Sequence, residues 1–178
     1  LAQFFHCKTV FYAQGVGPIN SSLNRKLVNW IGNRTDQITV RDSDSAELLK
    51  EIGIDPQLIS VTVDPVFAFE PDQLKQYIPD RLNDKLNTEE KLIGISVRPW
   101  KNNSYLESIA RGADLAAELT GGQVVFIPMH QGKDVAVSRK VQEMMDADSI
   151  LLTDNYTPTE MLGIYSKFDL FLGVRLHS

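Results

Sequence analysis

An α/β fold built on two parallel sheets is the class predicted here, and three observations predict it. Short, continuously apolar runs recur along the chain and alternate with longer amphipathic stretches. Most of these runs close near glycine, proline or aspartate, the residues that favour turns. A polar, charged segment from Glu70 to Glu90, broken by Pro71 and Pro79, divides the alternation into two halves. Strands that are apolar on both sides and joined through helices are expected to lie parallel, covered on both faces, with right-handed crossovers. Two Rossmann-like sheets follow. The first belongs to a domain and linker spanning residues 1–85, the second to a domain spanning 86–178.

Each element has its own signal. Lys8 to Ala13 is an apolar, aromatic run closed by Gly15, Gly17 and Pro18, which predicts a buried strand entering a tight turn. Leu23, Leu27, Trp30 and Ile31 then recur at helical spacing behind Ser21 or Ser22 as the cap. Gln37 to Val40 predicts a second strand. Asp44 and Glu47 match a capping box, Leu48, Leu49 and Ile52 give an apolar stripe, and Gly53 suits a left-handed stop. Ile59 to Val63 predicts a third strand, ended where Pro65 removes a donor. The segment 70–90 reads as a connection, helical in part. Beyond it come strands at Leu92–Val97, Val124–Ile127, Ile150–Leu152 and Leu170–Val174. Helices are predicted at Tyr105–Leu119 and Val135–Met145, and a third opens on Thr157, Pro158 and Glu160 and runs to about Lys167. The chain opens on what reads as a helix tail and stops at Ser178 directly after a strand, so a piece of a longer protein is expected.

Composition narrows the function. With 43% hydrophobic and 23% charged residues over 178 positions, the chain can close one or two modest cores. A net charge of -5 and a pI near 5.2 argue against a nucleic-acid partner, which calls for a basic surplus. The single cysteine, Cys7, sits among apolar residues; packing is its expected role, and the reducing cytoplasm is the expected compartment. No apolar stretch is long enough to cross a bilayer, and the opening residues lack the pattern of a signal peptide. Three histidines and one cysteine give no metal-ligand spacing, so no metal and no cofactor is expected.

In an open parallel sheet the ligand sits beyond the carboxyl ends of the strands. Basic residues gather at those exits: Arg41, Arg98 with Lys101, His130 with Lys133, and Arg175 with His177. An acidic protein arranged in this way suits a small anion, because local field rather than net charge selects the ligand. Arg175 and His177 stand two apart at a strand exit, so they can share a face and meet one ligand. Arginine grips carboxylate or phosphate at two points, and histidine can donate a proton near neutral pH. A histidine satisfied by backbone beside a solvated arginine is the plainer alternative, and on the residues alone the more frequent one.

Gly15 and Gly17 flank the first strand-to-helix turn, where bare amides can cradle an anion or simply form a turn. A dinucleotide fingerprint is not met, since Asn20 stands where a third glycine belongs and Pro18 interrupts the spacing. Arg41 and Asp42 offer an anion grip and a general base, or a surface pair capping the next helix. Arg98, Pro99 and Trp100 make a stiff lip suited to a sugar face or an anion, or an exposed arginine beside a packed tryptophan. His130 is a weaker candidate in a comparable loop, and His6, remote from strand ends, is structural.

The segments FYAQGVGP, TVRDSDSAELLKEIGI, VTVDPVF, IGISVRPW, VFIPMH and LGVRLHS occur in that order across nearly the whole chain. In order and character they resemble the polysaccharide pyruvyl transferase family, and specifically the branch that anchors surface-layer proteins to cell-wall polymer. The resemblance implies the two-domain, facing-Rossmann fold of the glycosyltransferase-B type, of which this chain covers the later part of the first domain and most of the second. It implies a bacterial, cytoplasmic transferase that moves the pyruvyl group of phosphoenolpyruvate onto a cell-wall or exopolysaccharide sugar as a ketal. Its glycan acceptor would be lipid-linked, which places the enzyme at the inner face of the membrane. Carried over residue by residue, His177 and Arg175 would hold the donor's phosphate or carboxylate, with Arg98 and the Gly15 to Gly17 turn facing them. His177 would serve as acid and Asp42 as base, while Arg41, Trp100 and His130 complete the substrate contacts. Two other classes compete. A nucleotide-sugar-dependent glycosyltransferase of similar fold would call on Asp154 or Glu160, and a non-catalytic anion-binding module would need no acid at all.

Overall fold

The computed structural model describes residues 2–86 and 88–174. The chain forms two compact units, Leu1–Phe69 and Glu70–Ser178. The first is a parallel sheet of three strands in the order β1 (Val10–Gln14), β2 (Gln37–Val40) and β3 (Ile59–Val61). Helices α1 (Ser22–Gly32) and α2 (Ser43–Ile52) make the crossovers. Ile38 and Val40 of the central strand are fully buried and pack with Ala46, Leu49 and Ile54. Ser21 caps α1 by accepting from the Asn24 amide, and α2 stops at Gly53 in the left-handed conformation with φ 91°.

Three local expectations are corrected in this unit. The cap of α2 is Asp42, not Asp44: the Asp42 carboxylate accepts from the Ser45 amide at 2.8 Å, and the helix starts at Ser43, two residues earlier than a cap at Asp44 would give. The first strand is not buried. Only Ala13 of β1 is, and Leu23, Leu27 and Trp30 on the apolar stripe of α1 are also exposed. Cys7 is likewise exposed rather than packed.

The second unit carries the larger core. Its parallel sheet runs in the order β6 (Ser149–Leu151), β5 (Gln123–Phe126), β4 (Leu92–Ser96) and β7 (Leu170–Gly173). Alternate side chains of β5 point to opposite faces, as strand geometry requires. Val124 and Phe126 join Ile93, Ile95, Val137 and Val141 on one face, with α5 (Leu106–Thr120) and α6 (Gln131–Gln142). Val125 and Ile127 join Leu92, Leu152 and Ile164 on the other, with α7 (Pro158–Tyr165). The central strands β4 and β5 are therefore covered on both sides, which is what their unbroken apolar runs predict, whereas the apolar run of the edge strand β7 is not buried: Leu170 and Leu172 are exposed.

The segment read as a connection contributes two short helices, α3 (Pro71–Leu74) and α4 (Asn83–Leu86). Leu82 and Leu86 are each 1% exposed and belong to the second face of the larger sheet. A Cβ at Gly163 of α7 would lie 2.8 Å from the backbone of Tyr77 and Ile78, so a glycine is what allows that close approach. The predicted capping box of α7 is present, with Thr157 and Glu160 each bonding the other's backbone amide. Among the described residues no helix is long and apolar enough to cross a membrane.

Candidate functional site

The order β6-β5-β4-β7 reverses at β4: the chain moves outward from β4 through β5 to β6, then returns to add β7 on the other side of β4. At such a reversal the connections leave in opposite directions and a crevice opens beyond the strand ends. β4 exits through Val97 into Arg98, and β7 exits into Val174. A cavity of about 220 Å³ lies there, lined by Arg98, Trp100, Tyr105 and Val174.

The lip of this cavity is built from the loop between β4 and α5. The Arg98 guanidinium stacks on the Trp100 ring, 4.5 Å from its centroid. Trp100 is 54% exposed, so it is a platform for the arginine and not the packed residue of the plainer reading. The Trp100 amide donates to Asn103 Oδ1 and the Asn103 amide donates to the Trp100 carbonyl, both at 2.9 Å. Tyr105 donates its hydroxyl proton to the Arg98 carbonyl. Burial, the largest influence on that hydroxyl, pushes its pKa above the ordinary tyrosine value and keeps it a donor.

The charge environments of the arginines differ. Arg41 lies 3.5 Å from an Asp42 oxygen and 3.6 Å from Asp64, and Arg81 lies 3.4 Å from Asp154 and 3.5 Å from Glu160. No carboxylate among the described residues pairs with Arg98. Among the described residues, then, its positive charge is not neutralised by a carboxylate. Arg175 and His177 follow Val174 in sequence and lie outside the described residues.

In the first unit the strand exits meet differently. Ala13 takes φ 48° and the β1–β2 register shifts between Phe11 and Gln14, a bulge that redirects the chain into the glycine turn. The Val16 amide donates to the buried Ser45 hydroxyl at 2.8 Å, which ties the turn to the start of α2. The Arg41 guanidinium lies against Gly15, where an added Cβ would come within 2.5 Å of its nitrogens. Gly15→Ala is expected to displace Arg41 from Asp42 and Asp64 while changing stability by less than about 1 kcal/mol, since such partly exposed pairs contribute little. Gly17→Ala, with nothing within 4 Å of the new Cβ, should leave Arg41 in place. Crystal structures and thermal melts of the two variants check this.

Asp42 is occupied by its cap. The Ser45 hydrogen bonds, and after them the Arg41 charge, hold its pKa below the ordinary carboxylate value. A depressed folded pKa contributes stability that is complete above the unfolded value of about 3.9 and is lost as pH falls through the lower folded value. Asp42→Asn keeps a capping oxygen and removes the charge. It is expected to flatten the loss of first-unit stability below about pH 4, measured by denaturant midpoints against pH.

His130 is exposed at the start of α6, its amide donating to Asp134 at 2.9 Å. Beside it at the β5 and β6 exits, Gln131 donates to the Asp154 carbonyl at 2.6 Å, and Arg81 lies over Tyr156 at 5.1 Å while bridging Asp154 and Glu160. These acidic residues are therefore bound to a cation of their own unit. Sequence reasoning missed Tyr105, Ser45 and Arg81. Tyr105 reads only as the start of a helix, Ser45 as an ordinary helix residue, and Arg81 lies in the polar segment read as a connection. Among the described residues no cluster of three or more histidine, cysteine, aspartate or glutamate residues could hold a metal.

Solved structures of similar fold span both units. A protein from Listeria monocytogenes described as a UDP-N-acetylglucosamine 2-epimerase superposes with TM-score 0.69 at 17% identity, over 98% of this chain and 48% of its own. The Staphylococcus aureus protein MnaA, solved with UDP, gives 0.61 at 13% identity over 98% and 48%. HepE of Anabaena in complex with UDP gives 0.58 at 13% identity over 96% and 47%. The chain thus spans about half the length of these structures, and the likeness is one of fold, the two-domain glycosyltransferase-B type. No curated protein matches this sequence. A match to the sequence profile of polysaccharide pyruvyl transferases extends over residues 1–178, and with the ordered segments and the two parallel α/β units it establishes that the chain belongs to the polysaccharide pyruvyl transferase family.

Proposed function

We propose that the intact protein transfers the pyruvyl group of phosphoenolpyruvate to a glycan acceptor, forming a ketal and releasing phosphate. The observation that carries this is Arg98, a guanidinium stacked on Trp100 at the strand-order reversal, with no carboxylate partner among the described residues. The donor bears a carboxylate and a phosphate ester on one carbon, and a planar fork of donors fits either group. Arg175 and His177, next in sequence after the β7 exit, are the proposed partners of Arg98 in holding it.

The reaction needs a proton at the donor's methylene carbon, which leaves a cationic centre at the neighbouring carbon. One sugar hydroxyl adds there and loses its proton. Phosphate then departs, and a second hydroxyl closes the ketal as its proton is released. His177 is the proposed acid, and anion grips stabilise the charge that develops on phosphate. Asp42 is ionised at neutral pH, the first requirement of the proposed base, but its cap bond and Arg41 weaken it in that role. Gly15, Gly17 and Arg41 are proposed as contacts at the exits of the first sheet, and His130 at the exit of β5. The acceptor is a cell-wall or exopolysaccharide sugar, lipid-linked in a bacterial cytoplasm at the inner face of the membrane, as in the surface-layer-anchoring branch of the family.

The test incubates the intact enzyme with phosphoenolpyruvate and a glycan bearing two free hydroxyls. Inorganic phosphate and ketal should appear in equal amounts. Turnover of a UDP-sugar with phosphoenolpyruvate untouched would overturn the reading in favour of a glycosyltransferase, whose acidic residues Asp154 and Glu160 are here held by Arg81.

A further inference from the structure

We infer that Asn103 and Tyr105 are positioning residues, holding the loop that carries Arg98 so that its guanidinium meets the donor in one orientation. This rests on the reading of Arg98 as a donor contact. An arginine lip on a free loop would sample many rotamers, and ordering it on binding would weaken affinity. The β4–α5 loop is not free. Lys101 and Asn103 take φ 48° and 59°, and asparagine is among the non-glycine residues that best tolerate that region. Asn103 uses both its amide and its side-chain oxygen on Trp100, and its carbonyl accepts from the Leu106 amide at 3.2 Å. The residue thus closes the loop on itself and delivers it into α5.

Tyr105 anchors the loop from the other side. Its ring packs on the cluster formed by Ile93, Ile95, Val97, Leu106 and Phe126, which is the rigid core of the unit. Its hydroxyl, seven residues from Arg98, donates to the Arg98 carbonyl. The backbone of Arg98 is therefore tied directly to the core, while its guanidinium lies over the Trp100 ring. Neither residue belongs to the conspicuous IGISVRPW segment, and neither is charged.

The experiment uses the intact enzyme in a Trp30→Phe background, so that Trp100 is the tryptophan of this chain that reports on binding. Fluorescence titration with phosphoenolpyruvate gives Kd, and steady-state assays give KM and kcat. Tyr105→Phe is expected to raise Kd and KM about tenfold with kcat within about twofold, the size of one lost hydrogen bond and some loop ordering. Asn103→Gly keeps the backbone conformation and loses the side-chain acceptor, and should shift Kd in the same direction. Asn103→Asp keeps the acceptor and should restore binding. Unchanged Kd in both Tyr105→Phe and Asn103→Gly, with binding lost in Arg98→Ala, would overturn the positioning role and leave the reading of Arg98 standing. Unchanged Kd in Arg98→Ala would overturn that reading itself. A Tyr105→Phe effect without an Asn103→Gly effect would make Tyr105 a direct ligand contact and reject the inference as well.

Discussion

Arg98→Ala in the intact enzyme is expected to lower kcat/KM for pyruvyl transfer by about 10²–10³-fold, the scale of removing one preorganised charge-assisted contact to a developing anion. The side chain is partly exposed, and no ion pair among the described residues would be broken by its loss, so the fold should be indifferent. Arg98→Lys should recover only a small part of the activity. Lysine keeps the charge but not the planar fork of donors that lies over the Trp100 ring. Trp100→Ala should cost less, about two- to fivefold, because an exposed cation–π contact contributes only about 0.5–1 kcal/mol. The ranking Arg98→Ala, then Arg98→Lys, then Trp100→Ala is the diagnostic result. An Arg98→Ala enzyme with full activity and a normal KM for the donor would remove Arg98 from the site.

That ranking depends on a feature the sequence displays only in part. Strand positions were legible because β4 and β5 are buried on both faces and so must be apolar throughout, which makes the runs at Leu92 and Val124 unmistakable. Strand order was not legible. Nothing in the residues of Leu170–Gly173 says that they pair with β4 rather than with β6, yet this pairing brings Val174 beside Arg98. The capping of α7 could be read letter by letter, since Thr157, Pro158 and Glu160 act through neighbouring backbone. The capping of α2 could not, because Asp42 and Asp44 both offer a plausible pattern and only the φ of Asp42, at −150°, marks it as the residue outside the helix.

Charge pairing was hidden in the same way. Arg41, Arg81 and Arg98 look alike as arginines near strand ends or connections, and their contacts separate them: Asp64 for Arg41 and Asp154 and Glu160 for Arg81, all distant in sequence, against the ring of neighbouring Trp100 for Arg98. The exposed stripe of α1 shows the limit of periodicity as evidence. A helical pattern of Leu23, Leu27 and Trp30 predicts a helix correctly, but not that its apolar face is covered.

The second large effect concerns the scaffold beneath Arg98. Phe126→Ala is expected to destabilise the second unit by about 3–5 kcal/mol, the range for removing a buried phenyl ring and leaving its cavity. Phe126 is fully buried and heads the largest enclosed side chains, and it touches the face of the sheet that α5 and α6 cover. Its strand is paired on both sides, to β4 and to β6, with the Leu152 amide donating to the Phe126 carbonyl at 3.0 Å and the Ile127 amide to the Ile95 carbonyl at 2.8 Å. Hydrogen exchange should therefore show protection falling together at Ile127, Leu152 and the amides of β4, while those of β2 keep theirs, because the core of Ile38 and Val40 shares no residue with the Phe126 cluster. Kinetics separates the two variants: Phe126→Ala lowers the folded fraction and hence the apparent kcat at unchanged donor KM, whereas Arg98→Ala raises KM in a fully folded enzyme. A loss of less than about 1 kcal/mol in Phe126→Ala would mean that the sheet is not close-packed on this side. An Arg98 lip tied to that core through Tyr105 would then have no rigid support.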